Sequence, residues 1–205
     1  MPPVVALTGG IGSGKSEALA AFAACGAATW SADAAVHAAY GDPGVVARVR
    51  ERFGDGVVGP DGTIDRALLG PLALAQEGGL AALEAILHPL VGRAREEWVA
   101  ARRADTPPPP LLVCEIPLFF EAGTAGLFDA VLVVTATDAV RRARVAARGQ
   151  DFDARAARQL SERDKVERAD AAFVNDGGLD ELRAWVADRF AQYAGLPCDG
   201  PSADH

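Results

Sequence analysis

The sequence predicts an α/β protein built on a parallel sheet with helices on both faces, and three observations predict it. Short apolar runs suited to buried strands alternate with longer stretches whose apolar residues recur at helical spacing. A glycine-rich loop directly follows the first run and opens a helix. A mostly helical block over about 42–105 interrupts the alternation and reads as an insertion.

Taken in order, residues 4–7 read as a short buried strand closed by glycines, and 16–25 as a helix stopped by Gly26. A second strand is expected over 27–30, and a helix that begins after Pro43 and ends near Gly54. Over 80–103 the residues Leu83, Ile86, Leu87, Leu90 and Val91 keep helical spacing, with Pro89 marking a kink or a break. The prolines of 106–110 form a rigid stop before the next strands, expected over 111–117 and 130–134. A long arginine-rich helical region follows over roughly 138–168. A last short strand then ends at Asn175, and a helix runs from about 179 to 193. No internal repeat is visible, and 196–205 is expected to be a disordered tail.

A chain of 205 residues, half of them hydrophobic, can bury one core of ordinary size. The net charge of −8 argues against a nucleic-acid binder, which is usually basic. Cys25, Cys114 and Cys198 are odd in number and widely spaced, forming no metal-ligand or disulfide pattern, so a reducing cytoplasm is expected. No cleavable leader and no apolar span of membrane length is seen, so a soluble protein is expected.

Gly9-x4-Gly14-Lys15-Ser16 fits the GxxxxGK[ST] pattern. Glycines let the chain turn tightly so that backbone N–H groups face phosphate oxygens, and the helix N-terminus adds its positive end. Lys15 is one of only two lysines among twenty basic residues. It can reach the β- and γ-phosphates, and the Ser16 hydroxyl can ligate Mg²⁺. The competing reading is a glycine turn with no ligand.

Glu115 places a charge within the apolar run LLVCEIP. A buried carboxylate needs a cation or donors, and the Mg²⁺ beside Ser16 is the natural partner; an edge-strand residue facing solvent is the alternative. Asp33, after the second strand, can accept the proton of an acceptor hydroxyl, or can instead cap the following helix. Arg141, Arg144 and Arg148 share a helix face at i, i+3 and i+7, followed by Arg155, Arg158, Arg163 and Lys165. Interrupted at Gly149, these basic helices suit a mobile lid over a nucleotide, or a solvated surface in an arginine-rich chain.

Several ordered motifs together resemble the bacterial dephospho-coenzyme A kinase family from about 4 to 193. LTGGIGSGKS is close to that family's glycine loop, and SADAAVH is similar to its segment with the acceptor-side aspartate. DGTIDRALL matches at Arg66 and Leu69, LHPLV at His88 and Pro89, and EIPLFFE at Glu115 and Glu121. The run from 159 matches at Gln159, Lys165, Ala169, Asp170 and Asn175.

The resemblance implies a P-loop NTPase three-layer sandwich with a five-stranded parallel sheet, a helical substrate-binding insertion and a helical lid. It implies a core over about 1–41, 106–138 and 169–195, the insertion over 42–105 and the lid over 139–168. It implies phosphorylation of the ribose 3′-hydroxyl of dephospho-CoA by ATP with Mg²⁺, the last step of coenzyme A biosynthesis, by a cytoplasmic monomer. Catalytic roles fall on Asp33 and Lys15. ATP contacts fall on Gly9, Gly10, Ile11, Gly12, Ser13, Gly14, Lys15, Ser16, Glu17, Arg144, Arg148 and Asn175. Substrate contacts fall on Asp33, His37, Arg66, His88, Glu121, Arg155 and Lys165, and metal contacts on Ser16 and Glu115.

Three positions depart from the family pattern. Glu17 replaces a small hydroxyl residue and is expected to weaken ATP affinity, Glu115 stands where Asp is common, and Ser31 replaces an additional Asp. A second kinase of the same fold acting on another small molecule or a nucleotide is the alternative enzyme. A nucleotide-dependent switch would be expected to carry N-K-x-D and D-x-x-G elements, and the sequence shows neither.

Overall fold

The structure, a computed structural model, describes residues 1–121, 125–149, 152–157 and 159–198, without the side chains of Ala154 and Arg155. Five strands form one parallel sheet: β1 (Val4–Thr8), β2 (Ala28–Ser31), β3 (Leu112–Glu115), β4 (Ala130–Thr135) and β5 (Ala171–Val174). Their order is β2-β3-β1-β4-β5. Helix α1 (Lys15–Ala24) and helix α9 (Leu179–Ala194) lie on one face of this sheet. Strand periodicity sends Val5, Leu7, Val113, Leu132 and Val134 towards them, against Phe22, Leu182, Val186 and Phe190. Ala6 and Val131 point to the other face, where Phe119 packs edge-on against Phe120 and Phe128. Burial of β1, β3 and β4 on both faces explains why these strands read as unbroken apolar runs.

The chain divides into two compact units, Met1–Ser31 with Val99–His205, and Ala32–Trp98. The second contains α2 (Ala32–Ala39), α3 (Pro43–Phe53), α4 (Arg66–Ala75) and most of α5 (Gly79–Ala104). Its core sets Val45, Val49 and Phe53 of α3 against Leu69 and Ala73 of α4 and Leu83, Ile86 and Leu87 of α5. Asp42 starts α3 by accepting the amide protons of Gly44 at 2.9 Å and Val45 at 3.0 Å, with Pro43 at the position where no donor is missed. Asp65 caps α4 likewise, from Ala67 at 2.8 Å.

Several sequence expectations change here. Helix α4 falls within the expected helical block although its own bounds were not resolved there; the Asp65 cap and the burial of Leu69 and Ala73 at i, i+4 carry it through Gly70 and Pro71. Helix α5 continues through Pro89 rather than breaking, with its apolar stripe buried ahead of the proline. The arginine-rich region, expected as basic helices interrupted at Gly149, holds three short helices among the described residues, α6 (Asp138–Ala146), α7 (Phe152–Ala156) and α8 (Glu162–Glu167). Gly149 lies three residues beyond the end of α6, with φ 65° in the left-handed region.

The cysteine expectation is also corrected. Cys25 and Cys198 form a disulfide across 173 residues of sequence, with Cα atoms 4.8 Å apart, and Cys114 is buried as a thiol. Cys25 caps α1 and Cys198 lies just beyond α9, so the pair arises from the packing of these two helices, which spacing along the chain cannot show. Residues 196–198, expected to begin a disordered tail, are thereby tied to α1; 199–205 lie outside the described residues. Cys198→Ser is expected to lower the thermal midpoint by roughly 5–15 °C. A differential scanning measurement that finds no difference between variant and parent without reductant would show that the crosslink does not form in solution. Among the described residues, no helix is long and apolar enough to cross a membrane.

Candidate active site

The glycine loop spans Gly9 to Gly14, between β1 and α1. Gly9 has φ 148°, and a Cβ there would strike the Val134 carbonyl oxygen. Gly14, at φ 102°, is the left-handed residue immediately before α1, with the Asn175 side-chain amide against it. No side chain caps this helix end, so its first turn remains directed at an anion. The Gly10 carbonyl accepts from the Lys15 ammonium at 3.0 Å and from the Ser13 amide at 3.2 Å. Asn175, 3% exposed, donates to the Ser13 carbonyl at 2.8 Å, and Arg144 reaches the Gly12 and Ser13 carbonyls at 3.4 Å each. The loop therefore has its outward carbonyls tied down by side chains, which favours presentation of N–H groups to phosphate.

Thr8, Ser31, Glu115 and Thr135 end their strands on one edge of the sheet, where open parallel sheets bind ligands. Glu115 pairs in register with Leu7 on one side and Ser31 on the other. It is 6% exposed, which removes the solvent-facing alternative, and the Ser31 hydroxyl donates to its Oε2 at 3.1 Å. The Ser31 departure is thus accommodated, because a hydroxyl supplies a donor to the longer Glu115 side chain. Ser16 is exposed in the first turn of α1. Among the described residues no group of three or more His, Cys, Asp or Glu could hold a metal. One carboxylate and a hydroxyl suit Mg²⁺, which takes few protein oxygens and completes its shell with phosphates and water.

The basic face predicted on α6 separates by environment. Arg141 is 6% exposed, bound to Asp138 at 2.5 Å and 3.6 Å from Glu162, while Arg148 lies beyond the helix end and is exposed. Arg155 lies in α7, and its side chain is outside the described residues, as is Arg158. Lys165, only 1% exposed, directs its ammonium at Glu162 Oε1, 2.8 Å away. The Thr135 hydroxyl donates to the other Glu162 oxygen at 2.5 Å. Burial pushes the Glu162 carboxyl up, but hydrogen bonds from Lys165 and Thr135 and the charges of Lys165 and Arg141 outweigh it and hold it below the usual range. Glu121 is exposed and accepts the Leu160 amide proton at 2.7 Å. Asp170 accepts from the Val131 amide at 2.8 Å, helping to fix the start of the β4–β5 pairing.

Asp33, His37, Arg66 and His88 belong to the second unit. Asp33 and His37 are exposed one turn apart on α2. Asp33 lies inside the first turn instead of capping the helix, where a carboxylate still complements the positive helix end. Arg66 is exposed at the start of α4, and its charge acts on Tyr40, whose phenol is pushed up by burial and pulled partly back by this guanidinium. His88 is exposed on α5. Glu17 lines a groove between α1 and α9 together with Ala20, Ala184, Ala187 and Arg183.

Glu162 was not singled out by the sequence. Its signal was its place three residues before the chain's only other lysine, an i, i+3 pair lost among neighbouring charges.

A family model described as "Dephospho-CoA kinase" matches residues 3–181. Among similar curated proteins, the dephospho-CoA kinase of Symbiobacterium thermophilum is 40% identical over 98% of this chain and 87% of that protein. That of Streptomyces avermitilis is 40% identical over 91% of this chain and 92% of that one. A crystal structure from Thermus thermophilus superposes with a TM-score of 0.77 at 33% identity, covering 93% of this chain and 97% of its own. The dephospho-CoA kinase from Campylobacter jejuni, at 19% identity, shares the fold with a TM-score of 0.65 over 95% of this chain and 99% of its own. With the glycine loop built between β1 and α1 and the match spanning most of the chain, this protein belongs to the dephospho-CoA kinase family.

Proposed function

We propose that this protein transfers the γ-phosphoryl group of ATP to the ribose 3′-hydroxyl of dephospho-CoA, producing coenzyme A and ADP. The observation that carries the reading is the family match over residues 3–181 on a chain whose glycine loop is organised for phosphate. The acceptor oxygen attacks the γ-phosphorus as the bond to the β–γ bridging oxygen breaks, and the hydroxyl proton passes to the Asp33 carboxylate. Lys15 and the amides of the Gly9-to-Ser16 stretch other than those of Ile11 and Ser13, which are taken up inside the protein, hold the phosphates, with Arg144 and Asn175 fixing the loop. Ser16 and Glu115 would hold Mg²⁺, which when bound neutralises charge on the β- and γ-phosphate oxygens.

Arg148 and Arg155 supply further lid charge. His37 of α2, with Arg66 and His88 of the helical insertion, are the substrate-facing candidates. Glu121, exposed with one oxygen on the Leu160 amide, and Lys165, buried against Glu162, complete the substrate-side set. Glu17 faces α9 in the groove beside α1, which weakens the case for a penalty to ATP binding. The reading makes the enzyme a monomer that needs neither nucleic acid nor membrane; its cytoplasmic placement rests on the family alone, since the Cys25–Cys198 disulfide removes the cysteine argument for it.

A coupled assay for ADP with ATP, Mg²⁺ and dephospho-CoA is expected to show turnover, with nucleoside monophosphates giving none. Preference for a nucleoside monophosphate would overturn the acceptor assignment and leave a kinase of different substrate.

A further inference from the structure

We propose that Gln159 is a positioning residue for Lys15, acting through a single peptide plane of the glycine loop; this rests on the kinase reading above. The Gln159 side-chain oxygen accepts the Ile11 amide proton at 3.0 Å, across 148 residues of sequence. That N–H belongs to the same rigid peptide unit as the Gly10 carbonyl, which points the opposite way. The Gly10 carbonyl is the group that holds the Lys15 ammonium at 3.0 Å and the Ser13 amide at 3.2 Å. Gln159 thus pins one side of the plane, and Lys15 is bound to the other. Ile11 stands between Gly10 and Gly12, so the chain has little stiffness of its own there to keep this plane in place.

Gln159 is itself held. Its backbone N–H donates to the Ala156 carbonyl at 3.0 Å, and the next backbone N–H, that of Leu160, donates to Glu121 Oε1 at 2.7 Å. Gln159 and Leu160 are therefore fastened to the loops after β1 and β3 at once. An amide suits the task better than a carboxylate, because it offers a neutral acceptor at a loop that must take up phosphate charge. Glu121, assigned to substrate by resemblance, becomes the anchor of the residue beside Gln159.

The test uses two variants of the full chain. Gln159→Met keeps length and loses the acceptor; Gln159→Glu keeps both the length and the acceptor. In Gln159→Met, exchange of the Ile11 amide, followed by NMR, is expected to accelerate about tenfold or more. The Kd for ATP, measured by calorimetry without acceptor, is expected to rise about 3- to 10-fold, while KM for dephospho-CoA moves less than about twofold. Gln159→Glu is expected to restore slow exchange at Ile11. Unchanged exchange or unchanged ATP affinity in Gln159→Met overturns the proposal, as does failure of that variant to fold, which would mark a general structural role. The ATP and exchange measurements need no acceptor, so absence of wild-type turnover with dephospho-CoA would count against the proposed activity and not against this assignment.

Discussion

Asp33→Asn is expected to lower kcat with dephospho-CoA by about 10²- to 10⁴-fold while leaving ATP binding within about twofold of the parent. The substitution preserves size and one acceptor oxygen, so it isolates the loss of charge and basicity. In the proposed mechanism phosphates are held through the loop and Lys15, in the first unit, whereas Asp33 belongs to the second unit. The two properties should therefore separate. Asp33 is exposed at the start of α2 and is free of a capping duty, so its replacement should not disturb folding.

Steady-state rates and calorimetric ATP titrations on the same preparation decide the matter. A kcat within about threefold of the parent would remove the proton-acceptor role from Asp33. A parallel loss of ATP affinity would show instead that the residue shapes the nucleotide site.

Much of this site was legible in the sequence because its parts are local. A strand, a glycine loop and a helix are contiguous, and φ values of 148° at Gly9 and 102° at Gly14 are demands that only glycine meets readily. Glu115 was visible for the same reason, as one charge inside an apolar strand. Features made by long-range packing were not legible. The Cys25–Cys198 pair depends on α1 lying beside α9, and the Gln159–Ile11 bond joins residues 148 apart. The bounds of α4 within the expected helical block were hidden for a different reason: local propensity at Gly70 and Pro71 opposes a helix there, and burial of Leu69 and Ala73 decides against propensity. The arginines show the limit of periodicity. Spacing placed Arg141, Arg144 and Arg148 on one face, but only packing separates a buried ion pair, a loop contact and an exposed charge.

Glu162→Gln is expected to destabilise the protein by about 3 kcal/mol, because it strands the Lys165 ammonium in a site that is 1% exposed. Gln would retain an oxygen for one hydrogen bond, but not the charge that balances Lys165 and Arg141. At this chain length the loss corresponds to a fall of roughly 6–12 °C in thermal midpoint. Removing both charges, in Glu162→Gln with Lys165→Met, should recover much of it, since a buried pair replaced as a unit costs far less than one left broken. The pH dependence has a definite sign. The Glu162 carboxyl is held below its unfolded value of about 4.3, so its stabilisation is complete above that value and fades as pH falls through the lower folded value. Denaturant titrations of parent and Glu162→Gln should therefore differ most above about pH 4.3 and converge as the pH drops further. Equal stability near neutral pH would show that Lys165 draws its compensation from elsewhere, and that the pair does not hold α8 to the end of β4.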